Sequence, residues 1–218
     1  ITVYVQDISG NIDSCSTTLT VSDSNPPVAA CQPVTIYLDA TGNAGIVAVD
    51  IDGGSTDNGT IVSLVASQTA FDCSNLGANN VTLTVTDDGG NTDDCVAVVT
   101  VLDTIAPTVV CQNIDAFLDA SGNVTITGAD LDGGTTDNCG TGSLIYTSSI
   151  PTFDCSNLGA QTVTLTVTDA SGNSSVCSAV VTVQDTITPT LACAPTTINI
   201  DGNGWAVFTA SALASWSD

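Results

Sequence analysis

Carboxylates and cysteines are the side chains of this sequence that could do chemistry. The chain has 218 residues, with 23 Asp or Glu, nine Cys and no Lys, Arg or His, so its formal net charge is −23. Without His or Lys there is no Ser-His or Cys-His pair, no Schiff-base lysine and no phosphate-binding P-loop lysine. The chemistry that remains is cation binding by oxygen, disulfide formation and acid–base work by paired carboxylates.

The sharpest acidic motif combines Asp, Gly and Asn and occurs twice, at 50–58 and 130–138. Calcium takes about six to eight oxygen ligands on a backbone that can curl around the ion. Asp-x-Asp, a flexible Gly-Gly and a closing Asp-Asn pair meet that need and predict calcium as a cofactor. The predicted ligands are Asp50, Asp52, Asp57, Asn58, Asp130, Asp132, Asp137 and Asn138. The alternative is Asx-turn chemistry, in which these carboxylates only accept hydrogen bonds from backbone N–H groups.

A second acidic group is predicted where strand-like segments end, at Asp23, Asp103 and Asp185. Turn residues such as Asp88 could approach these junctions, and calcium bridging them would make the chain more rigid. Solvated turn carboxylates are the alternative. Paired carboxylates could also catalyse glycoside hydrolysis, but their recurrence along the chain argues against an active site. The chain is therefore predicted not to be an enzyme.

These motifs belong to an internal repeat with a period of about 80 residues. Residues 31–58 match residues 111–138 at an offset of 80, and residues 71–87 match residues 153–169 at an offset of 82. The phasing predicts two complete repeats and two partial ones, at 1–24, 25–104, 105–186 and 187–218. Because neither terminus matches a repeat boundary, we expect the chain to be part of a longer protein.

Each repeat is predicted to be all-β. VTLTVTD alternates Val or Leu with Thr, and CVAVVTVLD has the same period of two, which indicates half-buried strands. The Gly- and Asn-rich segments DDGGN and DASGN between such runs predict hairpin turns. Short strands punctuated by turns indicate a seven-stranded sandwich of immunoglobulin type. We therefore expect tandem immunoglobulin-like antiparallel β-sandwiches in a linear array, joined by short linkers that contain proline.

The predicted strand order indicates which cysteines pair. Cys95 and Cys111 are only 16 residues apart, but the intervening extended chain covers about 30 Å, whereas bonded Cα atoms lie within about 7 Å. The first and last strands of this type of sandwich are parallel neighbours. This arrangement predicts the bonds Cys31–Cys95 and Cys111–Cys177, each contributing about 4 kcal/mol on the chain-entropy model.

The other cysteines are harder to assign. Cys139 and Cys155 flank a predicted hairpin and form the third predicted pair. Cys73 is then predicted to be unpaired, because Gly59 stands where its partner would be. Its thiol is either a reactive or intermolecular group, or a partly buried relic of a lost bond. Nine cysteines in an acidic, Thr-rich chain indicate an oxidising, extracellular setting.

Charge and hydropathy also limit the partners. Since the chain has no basic residue, nucleic acid and anionic membranes would be repelled by it. No uninterrupted apolar stretch approaches the roughly 18 residues needed to span a bilayer, so no direct membrane insertion is expected.

The run VTLTVTDASGNSSVCSAVVTVQDTITPT, preceded by TFDCSNLG and DLDGGTTDNCG, resembles the HYR-like, immunoglobulin-type repeats of giant Bacteroidota cell-surface adhesins, including those of gliding motility. The resemblance implies type IX secretion and attachment to the outer membrane at the cell surface. It implies partners among neighbouring repeats of the same chain, surface glycans and outer-membrane motility or secretion proteins. It also implies O-glycans at Asp-Ser/Thr-aliphatic sites, with Thr104 and Thr186 as candidates.

These observations predict a structural stalk or filament region of an extracellular adhesin. Two alternatives stay open: a glycan- or protein-binding module of a secreted protein, and an accessory region of a secreted hydrolase. The near-identity of the repeats favours the stalk, because the contact loops of a specific binder should differ from one repeat to the next.

Overall fold

The computed structural model describes residues 1–193, 195, 197–207 and 214–217. The chain divides into two compact units, Ile1–Asp103 and Thr104–Asp218. This division falls one residue from the predicted boundary between the two complete repeats. The last predicted repeat, 187–218, lies partly outside the described residues. In the part of the chain that is described, no helix is long and apolar enough to cross a membrane.

The first unit is built almost entirely from strands. The strands are β1 Thr2–Gln6, β2 Ile12–Ser16, β3 Val34–Tyr37, β4 Asn43–Gly45, β5 Ile61–Ala66, β6 Ala70–Asp72, β7 Gly77–Asp87 and β8 Thr92–Leu102. Four of them form a sheet in the order β3-β8-β7-β5, β4 pairs with β6, and β1 and β2 form a separate hairpin that is exposed along its length. Two short 3₁₀ helices span Ala48–Ile51 and Cys73–Asn75.

The second unit repeats this arrangement. Its strands are β9 Ile114–Phe117, β10 Asn123–Thr125, β11 Ile145–Ser148, β12 Thr152–Asp154, β13 Gly159–Thr168, β14 Ser174–Gln184, β15 Thr190–Cys193 and β16 Ala214–Ser217. The four-stranded sheet has the order β11-β13-β14-β9, β10 pairs with β12, and β15 pairs with β16. Its 3₁₀ helices span Gly128–Leu131 and Cys155–Asn157.

The prediction of an all-β, immunoglobulin-like fold is confirmed, including the parallel pairing of the first and last strands. β3 runs parallel to β8, with Val34 opposite Val99. β9 runs parallel to β14 in the same way, with Ile114 opposite Val181. Each sandwich has six strands rather than seven, because the segment before β3 or β9 contributes only isolated bridges, such as the one between Cys31 and Asp52.

Apolar and polar residues alternate along the central hairpin of each unit, β7–β8 or β13–β14, and the apolar residues form the core. Inward-facing residues of these strands are fully buried, whereas the threonines between them are only half-buried on the opposite face. Each buried aliphatic side chain contributes about 1.5–3 kcal/mol relative to an exposed one. The first 3₁₀ helix of each unit adds one more fully buried aliphatic side chain. The fully buried residues include Val81, Leu83 and Val85 on β7, Val163, Leu165 and Val167 on β13, and Ile51 and Leu131 on the 3₁₀ helices.

A recurring hairpin turn uses many of the carboxylates. In the sequence Asp-x-x-Gly-Asn, the aspartate accepts a hydrogen bond from the N–H four residues on, and the glycine adopts a positive φ. Asp87 Oδ1 accepts from Asn91 N at 2.7 Å, its Oδ2 accepts from Asn91 Nδ2 at 2.8 Å, and Gly90 has φ 86°. These aspartates therefore stabilise the turns that connect the strands. The same N–H bond occurs at Asp7, Asp39, Asp119 and Asp169, and at Asp201 with Trp205 as the donor.

Candidate functional site

The repeated acidic motif holds the segment that carries the first cysteine of each unit. Asp52 pairs with Cys31 through an isolated bridge, and Gly53 N donates to Ala30 O at 2.7 Å. A Cβ at Gly53 would lie 3.0 Å from the carbonyl carbon and oxygen of Cys31, so this close approach favours glycine. Ala30 N in turn donates to Ser55 Oγ at 3.0 Å. The motif thus fixes the position of Cys31 before β3 begins.

The paired carboxylates of the motif accept hydrogen bonds, as the Asx-turn alternative predicts. Asp50 Oδ2 accepts from Val47 N at 2.7 Å at the start of the 3₁₀ helix. Asp52 Oδ1 accepts from Ser55 N at 2.9 Å and from Ser55 Oγ at 2.6 Å. In the second unit, Asp130 accepts from the N–H and hydroxyl of Thr127, and Asp132 accepts from those of Thr135.

These hydrogen bonds lower the pKa of several motif carboxyls. The Ser55 hydroxyl and then the Ser55 N–H hold the pKa of Asp52 below its ordinary value of 3.8. The Thr127 N–H and then the Thr127 hydroxyl lower the pKa of Asp130. Burial raises the pKa of Asp132, but hydrogen bonds from the Thr135 hydroxyl and backbone outweigh it, so the pKa is lowered overall. Hydrogen bonds to the ionised carboxylates thus stabilise these negative charges, in place of the ion pairs that a chain without basic residues cannot form.

Asp57, from the same motif, belongs to a separate group with Asp23 and Asp88, which we call the carboxylate cluster. One oxygen of each of its three carboxylates lies within 4.8 Å of the others. Asn58 Nδ2 donates to Asp23 Oδ2 at 2.9 Å, which connects the fourth motif residue to the cluster. Among the described residues, no comparable group includes Asp50 or Asp52. The structure therefore divides the predicted ligands of the first unit into two sets. Asp50 and Asp52 form what we call the clamp, which holds the segment that carries Cys31, and Asp57 and Asn58 belong with the carboxylate cluster.

The geometry of the carboxylate cluster fits a calcium ion. An ideal Cβ on Gly59 would lie 2.8 Å from Asp88 Oδ1, 3.1 Å from Asp57 Oδ2 and 3.2 Å from Asp23 Oδ2. Three carboxylate oxygens therefore surround a space that no side chain fills. Asp57 Oδ1 is buried and has no hydrogen-bond donor within the described part of the chain. Ligands of one calcium ion, each about 2.3–2.6 Å from it, are at most about 5 Å apart, which the spacing of the cluster satisfies.

The second unit carries a different set of residues at the corresponding positions. Gly59 corresponds to Cys139, and Asp88 corresponds to Ala170. Asp137 and Asn138, the remaining predicted ligands, are both half-buried, and Asp137 Oδ2 accepts from Cys139 N at 3.0 Å. The second unit therefore lacks one of the three carboxylates and has a disulfide-bonded cysteine at the position of Gly59.

Disulfide bonds join the start of each sandwich to its last strand. Cys31 and Cys95 are bonded with their Cα atoms 5.7 Å apart, and Cys111 and Cys177 with theirs 5.9 Å apart. These are the two pairs that the sequence predicts. Each bond closes a long segment, with sequence separations of 64 and 66 residues. Because bonds of this kind persist in oxidising compartments, they indicate an extracellular setting.

Two of the cysteine predictions are wrong. Cys155 is an exposed free thiol, so the predicted Cys139–Cys155 bond is absent. Cys139 follows the Thr108–Thr136 bridge at the start of the unit, whereas Cys155 Sγ lies 3.8 Å from Gly122 O, beyond the end of β9. Cys139 and Cys155 therefore lie at opposite ends of the unit. These ends are separated by the length of a strand such as β13, about 30 Å, which is too far for a disulfide.

Cys73, predicted to be unpaired, is disulfide-bonded, and so is Cys139. The prediction assumed that cysteines pair across the hairpin between residues 59 and 73, so that Gly59 left Cys73 without a partner. Since the equivalent cysteines of the second unit do not pair across this hairpin, that assumption fails. Cys15 and Cys193 are exposed free thiols. Thr104 and Thr186, the predicted glycan acceptors, are both exposed.

No protein-family model matches the chain, and no curated protein does. Among solved structures, it is similar to extracellular cadherin domains 1–4 of protocadherin gamma B7, at 13% identity over 88% of this chain and 59% of that one, with a TM-score of 0.38. It is similar to Drosophila N-cadherin EC1-4 at 15% identity over 73% of this chain and 50% of that one, with a TM-score of 0.38.

A third structure, an endo-fucoidan hydrolase of glycoside hydrolase family 107, has 18% identity over 84% of this chain and 33% of that one, with a TM-score of 0.27. The chain thus spans less than two thirds of the length of all three structures. TM-scores this low do not bear on function.

The clamp carboxylates predict a specific dependence of stability on pH. Because the pKa of Asp52 is lowered by folding, its contribution to stability is present above the ordinary value of 3.8 and is lost as the pH falls through the lowered value. We expect Asp52→Asn to lower the melting temperature at neutral pH, and this deficit to shrink as the pH falls below 3.8. Calorimetry across this range measures it.

Asp94→Asn is the matched control, because it removes one negative charge from an exposed position on β8. It is expected to leave the neutral-pH melting temperature unchanged or slightly higher. A deficit for Asp52→Asn that stays constant down to the acid limit would contradict the role given to its ionised carboxylate.

Proposed function

We propose that the chain is part of the stalk of an extracellular adhesin, in which disulfide-closed β-sandwich units carry mechanical load and perform no catalysis. The observation that supports this most strongly is the bond between the start and the last strand of each unit. Adhesion or gliding at the surface of a Bacteroidota cell, after type IX secretion and with attachment to the outer membrane, is the setting that the sequence resemblance supports.

The load path follows from the parallel pairing of β3 and β8. The chain enters β3 at one end of the sheet and leaves β8 at the opposite end, so tension along the chain loads this pair in shear. Cys31 lies three residues before the start of β3, and its partner Cys95 lies on β8. Tension therefore passes through the covalent bond, and the residues between the two cysteines lie outside the load path. The same holds for Cys111 and Cys177 in the second unit.

The negative net charge of the chain also supports a role as a stalk. A chain with a net charge of −23 and no basic residue repels other copies of itself, which keeps neighbouring filaments apart. The partners proposed for the stalk are the neighbouring repeats of the same chain. Surface glycans and outer-membrane motility or secretion proteins are the partners that the resemblance adds.

Stretching single molecules tests the proposal directly. With the chain tethered through its two ends, we expect the oxidised protein to release none of the length held between the bonded cysteines. After reduction with dithiothreitol, each unit should release about 200 Å more, the extended length of the segment that its disulfide closes. An optical or magnetic trap measures this length.

The variant Cys31→Ser/Cys73→Ser/Cys95→Ser provides the control, because Cys73 is also disulfide-bonded and lies within the segment that the Cys31–Cys95 bond closes. Its first unit should release the same additional length without reductant, while the second unit keeps the behaviour of the oxidised protein. Oxidised molecules that release the full length of both units would contradict a load-bearing role for the disulfides.

We include calcium in this function, bound at the carboxylate cluster of the first unit. Asp23, Asp57 and Asp88 would supply its carboxylate ligands, and Asp57 Oδ1 offers a buried oxygen that has no donor in the described structure. Solvent would complete the coordination shell. The ion would neutralise mutual repulsion and connect three segments that are distant in sequence, which stiffens the unit. A weak site is sufficient in a calcium-rich exterior.

Calcium dependence of the melting temperature checks this site. EDTA should lower the melting temperature of the first unit, and millimolar calcium should restore it, because the ion offsets repulsion among three carboxylates. Asp88→Asn should remove this response, since it deletes one ligand. Asp50→Asn is the control, because Asp50 caps the 3₁₀ helix instead. The site is excluded if Asp88→Asn and the unmodified chain respond to calcium equally.

A further inference from the structure

The Asn58–Gly59 peptide bond lies beside the carboxylate cluster, and both residues are exposed. The Asn58 side-chain amide donates to Asp23 Oδ2 at 2.9 Å. The backbone nitrogen of Gly59 donates to Asp57 Oδ2 at 2.7 Å. A side-chain amide, a following backbone nitrogen with no neighbouring Cβ and a carboxylate held against that N–H thus occur together at one point of the chain.

We propose that Asn58 is a site of spontaneous deamidation, which converts a neutral donor of the cluster into a fourth carboxylate. The Gly59 nitrogen attacks the Asn58 side-chain carbonyl carbon, and the Asp57 carboxylate accepts the N–H proton. A bond forms between the Gly59 nitrogen and the Asn58 side-chain carbonyl carbon, and the bond from that carbon to the side-chain nitrogen breaks. The proton held by Asp57 passes to the departing NH2 group, which leaves as ammonia. Water then opens the resulting succinimide to aspartate or isoaspartate. The net reaction consumes one water and releases one ammonia, with no oxidant or reductant.

Glycine at position 59 allows the succinimide ring to close. A residue with a side chain would hinder the ring closure, whereas glycine leaves the nitrogen accessible and the backbone free to rotate. The surroundings of Gly59 also restrict this position, because an added Cβ would lie 2.8 Å from Asp88 Oδ1. Both the proposed reaction at Asn58–Gly59 and the close spacing of the carboxylate cluster therefore require glycine at position 59.

The chain contains two natural comparisons. Asn138–Cys139 occupies the equivalent position 80 residues on and has the same hydrogen bond, from Cys139 N to Asp137 Oδ2 at 3.0 Å, but its second residue carries a side chain. Asn203–Gly204 has the glycine, but Gly204 N donates to the backbone oxygen of Asp201 at 3.0 Å rather than to a carboxylate. The first comparison tests the effect of glycine, at a position that is half-buried rather than exposed, and the second tests the effect of the carboxylate.

The product changes the balance of the cluster. Deamidation moves the net charge from −23 one unit further negative. It replaces the hydrogen bond between Asn58 and Asp23 with two carboxylates that face each other. Like charges at this separation destabilise the folded unit unless a cation lies between them. This consequence, though not the deamidation itself, rests on the calcium site proposed above.

Ageing the intact chain at neutral pH and physiological temperature, followed by peptide mapping with mass spectrometry, tests the reaction. We expect Asn58 to convert about tenfold or more faster than Asn138, because Asn58 precedes glycine whereas Asn138 precedes cysteine, and isoaspartate to appear among its products. Asp57→Asn should slow conversion at Asn58 and leave Asn203 unchanged. Equal rates at Asn58 and Asn138, or an intact Asn58 beside a converted Asn203, would overturn the proposal.

The variant Asn58→Asp tests the consequence separately, with Asn138→Asp as its matched control. Asn58→Asp should lower the melting temperature in EDTA, and calcium should restore it by a larger amount than in the unmodified chain. An unchanged melting temperature in EDTA contradicts the predicted repulsion. A loss in EDTA that calcium does not reverse contradicts the calcium site and leaves the repulsion supported.

Discussion

The covalent bond between the start of each sandwich and its last strand is the constraint on which the rest of the structure depends. β3 and β8 are parallel neighbours, and Cys31–Cys95 connects them beside the point where the chain enters the sheet. The bond closes a segment of more than sixty residues (sequence separation 64), which contributes about 4 kcal/mol on the chain-entropy model. Stability and the proposed mechanical role therefore come from the same bond.

The second constraint is electrostatic, because the folded chain must accommodate its carboxylates without a single basic side chain. The structure does so mainly with short-range donors. Asp87 and its equivalents accept backbone N–H groups inside hairpin turns, and Asp52 accepts from Ser55 within the clamp that positions Cys31. The acidic motifs therefore support the disulfides. In the carboxylate cluster, the buried Asp57 Oδ1 has no donor within the described structure, which makes the cluster a candidate site for a cation from outside.

Much of the fold could be predicted, because period-two alternation and hairpin turns are encoded locally. VTLTVTD predicted strands with buried Val81 and Leu83, and the expected parallel pairing placed Cys31 near Cys95. The roles of the carboxylates were less predictable, since turn capping and calcium binding use the same oxygens and similar spacing. Asp50 and Asp57 come from one motif, yet they point to different surroundings. The cluster draws on residues 23, 57 and 88, whose proximity only the tertiary structure decides.

The local signal for the cluster was nevertheless present at Asp88, an extra aspartate in a turn where the second unit has Ala170. The cysteine errors have a different origin. Cys139 and Cys155 are close in sequence, but they lie at opposite ends of their unit, so nearness along the chain misled the assignment. Cys31–Cys95 and Cys111–Cys177 were accessible because strand order, rather than sequence distance, determines them.

Non-reducing peptide mapping of the native chain, after alkylation of free thiols, tests the central claim most directly. The account predicts cross-linked peptides that join Cys31 to Cys95 and Cys111 to Cys177, with Cys155 alkylated. Peptides that join Cys95 to Cys111, or an alkylated Cys31, would show that the start of the sandwich is not bonded to its last strand and would contradict the account.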